Sequence, residues 1–329
     1  MLTRRTALLL AAASPALAQP APLDAALRMA DGLPHLRTLI VARDGAVVTE
    51  RVFRGPGLDA AANVKSASKT LLATLAGIAV ARGVLRGLDQ PIGPILGGRI
   101  PPGADPRVRG ITVGQLLSMQ AGLGRTSGTE YGRWVSSRDW LAHALTREME
   151  DEPGGRMIYS TGTSHILGAV LARASGRSLH QLAQEWLGAP LGLRVPDWPR
   201  DPQGLHFGGN EMRLSPRALL AFGECWRNGG RHAGRQVIPE AFVRDAWQPR
   251  ARSAWSGQMY GLGWWIAQAR GEGVFFAWGY GGQMLYLVPG LGLTVVMTSD
   301  PEVPRANGQV HTLHALLADG ILPAFGLQG

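Results

Sequence analysis

The chain has 329 residues, 45% of them hydrophobic and 17% charged, with a formal net charge of +9 and a single cysteine. That length and apolar share provide a sizeable core and speak against disorder. One cysteine excludes a disulfide framework and any cysteine-based zinc or iron–sulfur centre. The 33 basic residues are scattered rather than striped, so the charge does not outline a nucleic-acid-binding face. No apolar run reaches the ~18 residues of a membrane-spanning helix.

Residues 1–18 read as an export signal. Arg4 and Arg5 precede a short apolar core over 6–13, and Ala16-Leu17-Ala18 offers a small-x-small cleavage site ahead of Gln19. Thr3-Arg4-Arg5 also hints at twin-arginine export. No cysteine follows the cleavage site, which removes a lipoprotein anchor. The mature chain is expected to be 19–329, a single domain working in the periplasm or secreted.

In chain order, 36–42 and 46–52 alternate or cluster apolar residues about Arg43-Asp44-Gly45 and predict a β-hairpin. A long Ala/Leu/Ile/Val segment over 66–82, stopped by Gly83, predicts a helix. A Gly/Pro-rich loop follows over 87–109. Helices are expected over 112–119, 138–148, 163–174 before Gly176, 178–187, 216–227 and 239–247. The last hundred residues change character, with strands over 260–267, 274–278, 284–288 and 293–298. Pro289-Gly290 turns between the final two, which are expected to be antiparallel neighbours. A helix over 311–322 ends the pattern. Strands, helices, strands and a helix in that order predict an α+β fold. Its antiparallel sheet draws on about 30–60 and 258–300, flanked by helices, with a mostly helical insertion over about 83–205.

The common short motifs fail. No serine lies in G-x-S-x-G, no lysine follows a glycine as in a P-loop, and H-E-x-x-H is absent. His311 and His314 stand three apart on a predicted helix without a third ligand nearby and read as helix-surface histidines; no metal is expected. His165 reads as a satisfied helix histidine, and Cys225 as a buried filler.

Ser66-Ala67-Ser68-Lys69 stands apart. A spacing of three sets the Ser66 hydroxyl and the Lys69 amine on one helix face, with Ser68 pointing elsewhere. A buried lysine can lose its proton and accept one from a serine, while the helix N-terminus offers N–H groups to an oxyanion. The chain sharpens this signal by composition: of its 33 basic residues only Lys65 and Lys69 are lysines. Arginine cannot act as a general base. Two further segments suit the same chemistry: Tyr159-Ser160-Thr161 ahead of a predicted helix, and Trp278-Gly279-Tyr280-Gly281-Gly282-Gln283 at a strand edge, which also reads as a plain tight turn. Among Trp134, Trp140, Trp255, Trp264, Trp265 and Trp278, two or three are expected to line a site and the rest to fill the core, with Trp278 the first choice. Asn210 and Glu211, after a glycine pair, can border it.

With these motifs in this order, the chain resembles the serine hydrolases related to class C β-lactamases, DD-peptidases and penicillin-binding proteins, over about 30–325. It is closest in flavour to the esterase and 6-aminohexanoate-dimer-hydrolase branch. Ser66–Lys69 matches the first motif. Tyr159-Ser160-Thr161 matches Tyr-x-Asn with Thr161 in place of the asparagine, and Gly279-Tyr280-Gly281 stands where the family has Lys/His-Thr/Ser-Gly. The resemblance implies a β-lactamase/transpeptidase-like fold, an acyl-enzyme on Ser66, Lys69 as its base and Tyr159 sharing proton transfer. It also implies an oxyanion hole from the Ser66 and Gly282 N–H groups. Tyr280, Gly281, Thr161 and Trp278 would border the substrate, a small ester or amide, with no cofactor. A β-lactamase or DD-peptidase acting on carboxylate-bearing substrates, and an inactive sensor or scaffold, are the rival readings.

Overall fold

The computed structural model describes residues 23–303 and 308–326; the expected export signal lies outside them. The first hairpin forms as expected, with β1 over Leu36–Arg43 and β2 over Ala46–Val52. Six further strands come from the C-terminal part: β3 Ala251–Arg252, β4 Met259–Tyr260, β5 Trp265–Ala269, β6 Glu272–Gly279, β7 Gln283–Val288 and β8 Leu293–Ser299. They join one eight-stranded sheet in the order β2-β1-β8-β7-β6-β5-β4-β3, every pairing antiparallel. Ile40 pairs with Val296 and Leu39 with Met297, so the N-terminal hairpin is stitched onto the end of the C-terminal meander.

Both faces of the central strands are covered, which is why they read as continuous apolar runs. Along β7, Leu285 and Leu287 enter one core, while Met284, Tyr286 and Val288 enter the other. The first core holds the helical part. It includes α2 (Ser68–Ala81), α3 (Thr161–Ser175) and α4 (Pro216–Arg227), the last lying against β7 and β8. The second lies under α1 (Asp24–Asp31) and the C-terminal helix α5 (Gln309–Ala315). Helix α2 is buried on nearly every side, which accounts for its lack of a polar face. Edge strand β2 is largely exposed.

Several boundaries differ from expectation for local reasons. The strand expected over 260–267 is broken: Gly261 N–H donates to Trp264 O and Leu262 N–H to Ala246 O, turning the chain between β4 and β5. The helices expected over 178–187 and 311–322 relax into π turns at Gln184–Gly188 and Leu316–Ile321. The loop over 87–109 holds a short helix, Gly93–Leu96. Among the described residues no helix is long and apolar enough to cross a membrane.

Candidate active site

The long helix begins later than the sequence suggests. Ser66 lies in a 3₁₀ turn, Lys65–Ala67, and the α-helix starts at Ser68. The turn is entered through Lys65 in the left-handed region, at φ 48°. Asn63 Oδ1 accepts the Lys65 N–H at 2.9 Å, and Ala67 N–H donates to Val64 O at 3.0 Å. The Ser66 N–H falls between them in the first turn, where helical N–H groups have no intrahelical acceptor. Lys65 Nζ is tied to Glu211 at 3.4 Å and Glu302 at 3.3 Å. Asn63 Nδ2 donates to Glu211 at 2.7 Å, closing a bracket around the turn.

Lys69 rises from the first turn of α2 and is buried, 4% exposed. Its Nζ donates to Ser66 Oγ at 3.0 Å, Gly209 O at 2.9 Å and Thr161 Oγ1 at 3.3 Å. Burial pushes its pKa down from the ordinary 10.5 to about 7. A neutral amine hydrogen-bonded to a serine hydroxyl is thus accessible near neutral pH. Ser68 points away: its hydroxyl donates to Lys65 O at 2.6 Å and accepts the Met212 N–H at 3.2 Å.

Tyr159 ends the loop before α3. Its ring centroid lies 5.1 Å from Lys69 Nζ and 5.5 Å from the Trp265 ring. Thr161 exchanges a 2.9 Å bond with the Ser127 hydroxyl, which also accepts the Thr161 N–H at 2.8 Å. Its hydroxyl is therefore committed to Lys69 and Ser127. The hairpin loop between β6 and β7 brings Tyr280 and Gly281 to the same cleft, with Tyr280 exposed. A Cβ on Gly279 would overlap the Val64 carbonyl oxygen, so the glycine is what lets β6 close on the Ser66 turn.

Gly282 is a correction. Its N–H donates to Gly279 O at 3.1 Å, closing the hairpin, and the residue does not line the cleft. An N–H spent on its own turn is not available to an oxyanion.

Ser66, Ser127, Tyr159, Thr161, Tyr280 and Gly281 line a cleft of about 1270 Å³. Trp255, Trp265 and Trp278 form an aromatic wall in it, with ring centroids 5.0–5.5 Å apart. Trp134, Trp140 and Trp264 are buried in the first core instead. Asn210 and Glu211 line the cleft, and Asn210 Nδ2 donates to the Tyr131 hydroxyl at 3.0 Å. His314 is half-buried at the cleft rather than on the outer helix surface: its Nδ1 meets the Tyr286 hydroxyl at 3.0 Å, and burial holds its pKa down to about 4. Cys225 is fully buried, its thiol pushed up to about 12. Sequence reasoning missed Ser127 and the Gly209 carbonyl. The first lies in no motif, and the second is a backbone atom whose trace in the sequence is the pair Gly208-Gly209.

The family model described as Beta-lactamase matches residues 37–319. A search of curated proteins gives no match. Solved structures share the fold. A D-stereospecific amidohydrolase from Streptomyces sp. superposes with a TM-score of 0.70 at 20% identity, covering 91% of this chain and 99% of that one. EstCE1, a hydrolase with promiscuous acyltransferase activity, gives 0.73 at 18% identity over 92% and 97%. A protein from Bacillus anthracis assigned by its name to the 6-aminohexanoate-dimer hydrolases gives 0.70 at 17% identity over 88% and 79%.

Proposed function

Because the chain belongs to the beta-lactamase family, we propose that it is an exported serine hydrolase that cleaves ester or amide bonds through an acyl-enzyme on Ser66. The observation that carries this reading is the 3.0 Å bond from a buried Lys69, its pKa brought to about 7, to the Ser66 hydroxyl. In this reading the neutral amine takes the hydroxyl proton as Ser66 Oγ attacks the substrate carbonyl, forming a tetrahedral oxyanion. The Ser66 N–H supplies one donor to that oxyanion. With Gly282 engaged, the second comes from the loop residues that do face the cleft, Tyr280 or Gly281. The proton passes to the leaving group with Tyr159 as the shuttle beside Lys69, and water releases the acyl group by the same steps reversed. The tryptophan wall suits an apolar acyl or leaving group.

A fluorophosphonate probe and p-nitrophenyl butyrate test the reading together. Wild type is expected to label at one site and to turn the ester over. Ser66→Ala should lose both, by about 10⁴-fold or more in turnover. Ser68→Ala, whose hydroxyl serves backbone groups, should keep most of the rate. Activity lost in Ser68→Ala and kept in Ser66→Ala would show the wrong nucleophile. Export is tested separately: protein exported by its native host should begin at Gln19, or at pyroglutamate formed from it, by mass spectrometry. An exported form retaining 1–18 would refute that part.

A further inference from the structure

Behind the catalytic lysine lies a buried dyad that the chemistry above does not use. His165 on α3 is fully buried and boxed by Trp134, Trp140 and Phe207, with ring centroids 5.8–6.0 Å away. Its Nδ1 accepts the Gly208 N–H at 3.2 Å, so that nitrogen carries no proton. Its Nε2 stands 3.0 Å from Asp201 Oδ2 and must then be the protonated nitrogen, donating to the carboxylate. Asp201 Oδ1 is occupied by the backbone N–H groups of Gln203 and Leu205, each at 2.9 Å. The hydrogen bonds thus fix the tautomer, and the tautomer fixes Gly208.

The next residue carries the carbonyl that holds Lys69. Gly209 O accepts from Lys69 Nζ at 2.9 Å. Gly209 has φ 76°, and a Cβ there would meet Ser164 Cβ at 2.5 Å and Lys69 Cγ at 2.9 Å. The backbone at 208–209 is therefore pressed between α3 and the lysine, with no side chain of its own to set its orientation. A carboxylate buried as deeply as that of Asp201 is costly unless its bonds are needed.

We propose that Asp201 and His165 are positioning residues for the catalytic base: the dyad aims the Gly208–Gly209 backbone so that the Gly209 carbonyl holds Lys69 Nζ against Ser66. The inference rests on Ser66 and Lys69 acting as nucleophile and base. The groups facing Nζ are the Ser66 and Thr161 hydroxyls, the Gly209 carbonyl and the Tyr159 ring. The charged groups flanking these segments are Lys65, four residues before Lys69, and Glu211, two after Gly209, paired with each other. A carbonyl acceptor favours the ammonium form, so withdrawing it lowers the pH at which Lys69 becomes a base.

Asp201→Asn tests this with little change of shape. Its Oδ1 keeps the two backbone donors, so an NH₂ replaces the oxygen facing His165. The ring must then carry its proton on Nδ1, where it meets the Gly208 N–H donor to donor. The measurement is the pH profile of Ser66 phosphonylation by a fluorophosphonate on the full chain, read as label bound with loss of fluoride. D201N is expected to be phosphonylated at least about tenfold more slowly, with its inflection lowered by about half a pH unit or more. His165→Gln, which keeps an Asp201 partner but removes the acceptor for Gly208, should behave the same. His165→Asn, whose Oδ1 replaces Nδ1, should rescue both readouts. An inflection that stays put in both D201N and H165Q, even with a slower rate or a lower melting temperature, means a purely structural dyad and overturns the proposal. Wild type that does not label at all removes the hydrolase reading and the proposal with it. Wild type that labels while the variants leave the inflection unmoved removes the proposal alone.

Discussion

Lys69 has two possible uses beside Ser66, as a positive charge or as a proton acceptor, and the site geometry separates them. Its Nζ reaches three oxygens and has no ion-pair partner among the described residues, while burial disfavours its charged form. Arginine keeps the charge but cannot give up its proton. Lys69→Arg is therefore expected to lose nearly as much acylation rate as Lys69→Ala, whereas Lys65→Arg, whose role is to pair with Glu211 and Glu302, should be mild. The pH profile follows from the same shift. A base must be neutral, so kcat/KM for p-nitrophenyl butyrate should fall below the Lys69 pKa of about 7 and level off above it. A Lys69→Arg enzyme with most of its rate, or a wild-type profile flat between pH 5 and 9, would remove the general-base role.

The elements that carry these side chains differ in how far they could be read in advance. The hairpin, α2 and α3 announce themselves by apolar patterning and by glycine stops at Gly83 and Gly176, and Gly176 does take the left-handed cap at φ 67°. The 3₁₀ turn at Ser66 does not, because the left-handed Lys65 is held there by Asn63, Glu211 and Glu302, and the latter two are remote in sequence. Gly282 misleads for a related reason. A glycine-rich hairpin can present several N–H groups, and only the turn's own hydrogen bond reveals which one is spent. Gly279 shows the opposite case, a glycine whose reason is visible once β6 is seen to end against Val64. Gly279→Ala should push the strand edge away from the Ser66 turn. The overpacking should cost about 1–3 kcal/mol of stability. It should also slow acylation at least about tenfold, as the loop residues Tyr280 and Gly281 shift relative to Ser66. Equal melting temperature and equal acylation rate in Gly279→Ala would show that this close approach does not set the site.

At the scale of the whole molecule, both ends of the chain build the sheet. The strand patterns could be read from the sequence, but the pairing of β1 with β8 rests on contacts between residues as distant as Thr38 and Thr298. That topology sets the Ser66 turn against the end of β6 and the helical part against its other side, so the cleft's charges come from all over the chain. Lys65 is neutralised by Glu211 and Glu302, and Arg156 by Glu150 and Asp151. Arg125 also lines the cleft, on the segment that braces the second motif: Thr126 N–H donates to Ser160 Oγ at 3.0 Å, and the Ser127 hydroxyl bonds Thr161. The hairpin, where the resemblance places the cation that holds a substrate carboxylate, offers Gly279 and Tyr280 instead. Thr161, in the asparagine position, is engaged with Lys69 and Ser127. A penicillin or cephalosporin would thus lack a charge-assisted bond at the hairpin and an amide partner at the second motif. Each charged bond lost is worth roughly 1.5–3 kcal/mol, or one to two decades in kcat/KM. A neutral ester needs the nucleophile, the oxyanion donors and the wall of Trp255, Trp265 and Trp278. We therefore expect kcat/KM for p-nitrophenyl butyrate to exceed that for nitrocefin by at least about tenfold on one preparation. If nitrocefin equals or exceeds the ester, and Arg125→Ala then restores the ester's lead, Arg125 holds the substrate carboxylate and the chain works as a β-lactamase rather than an esterase.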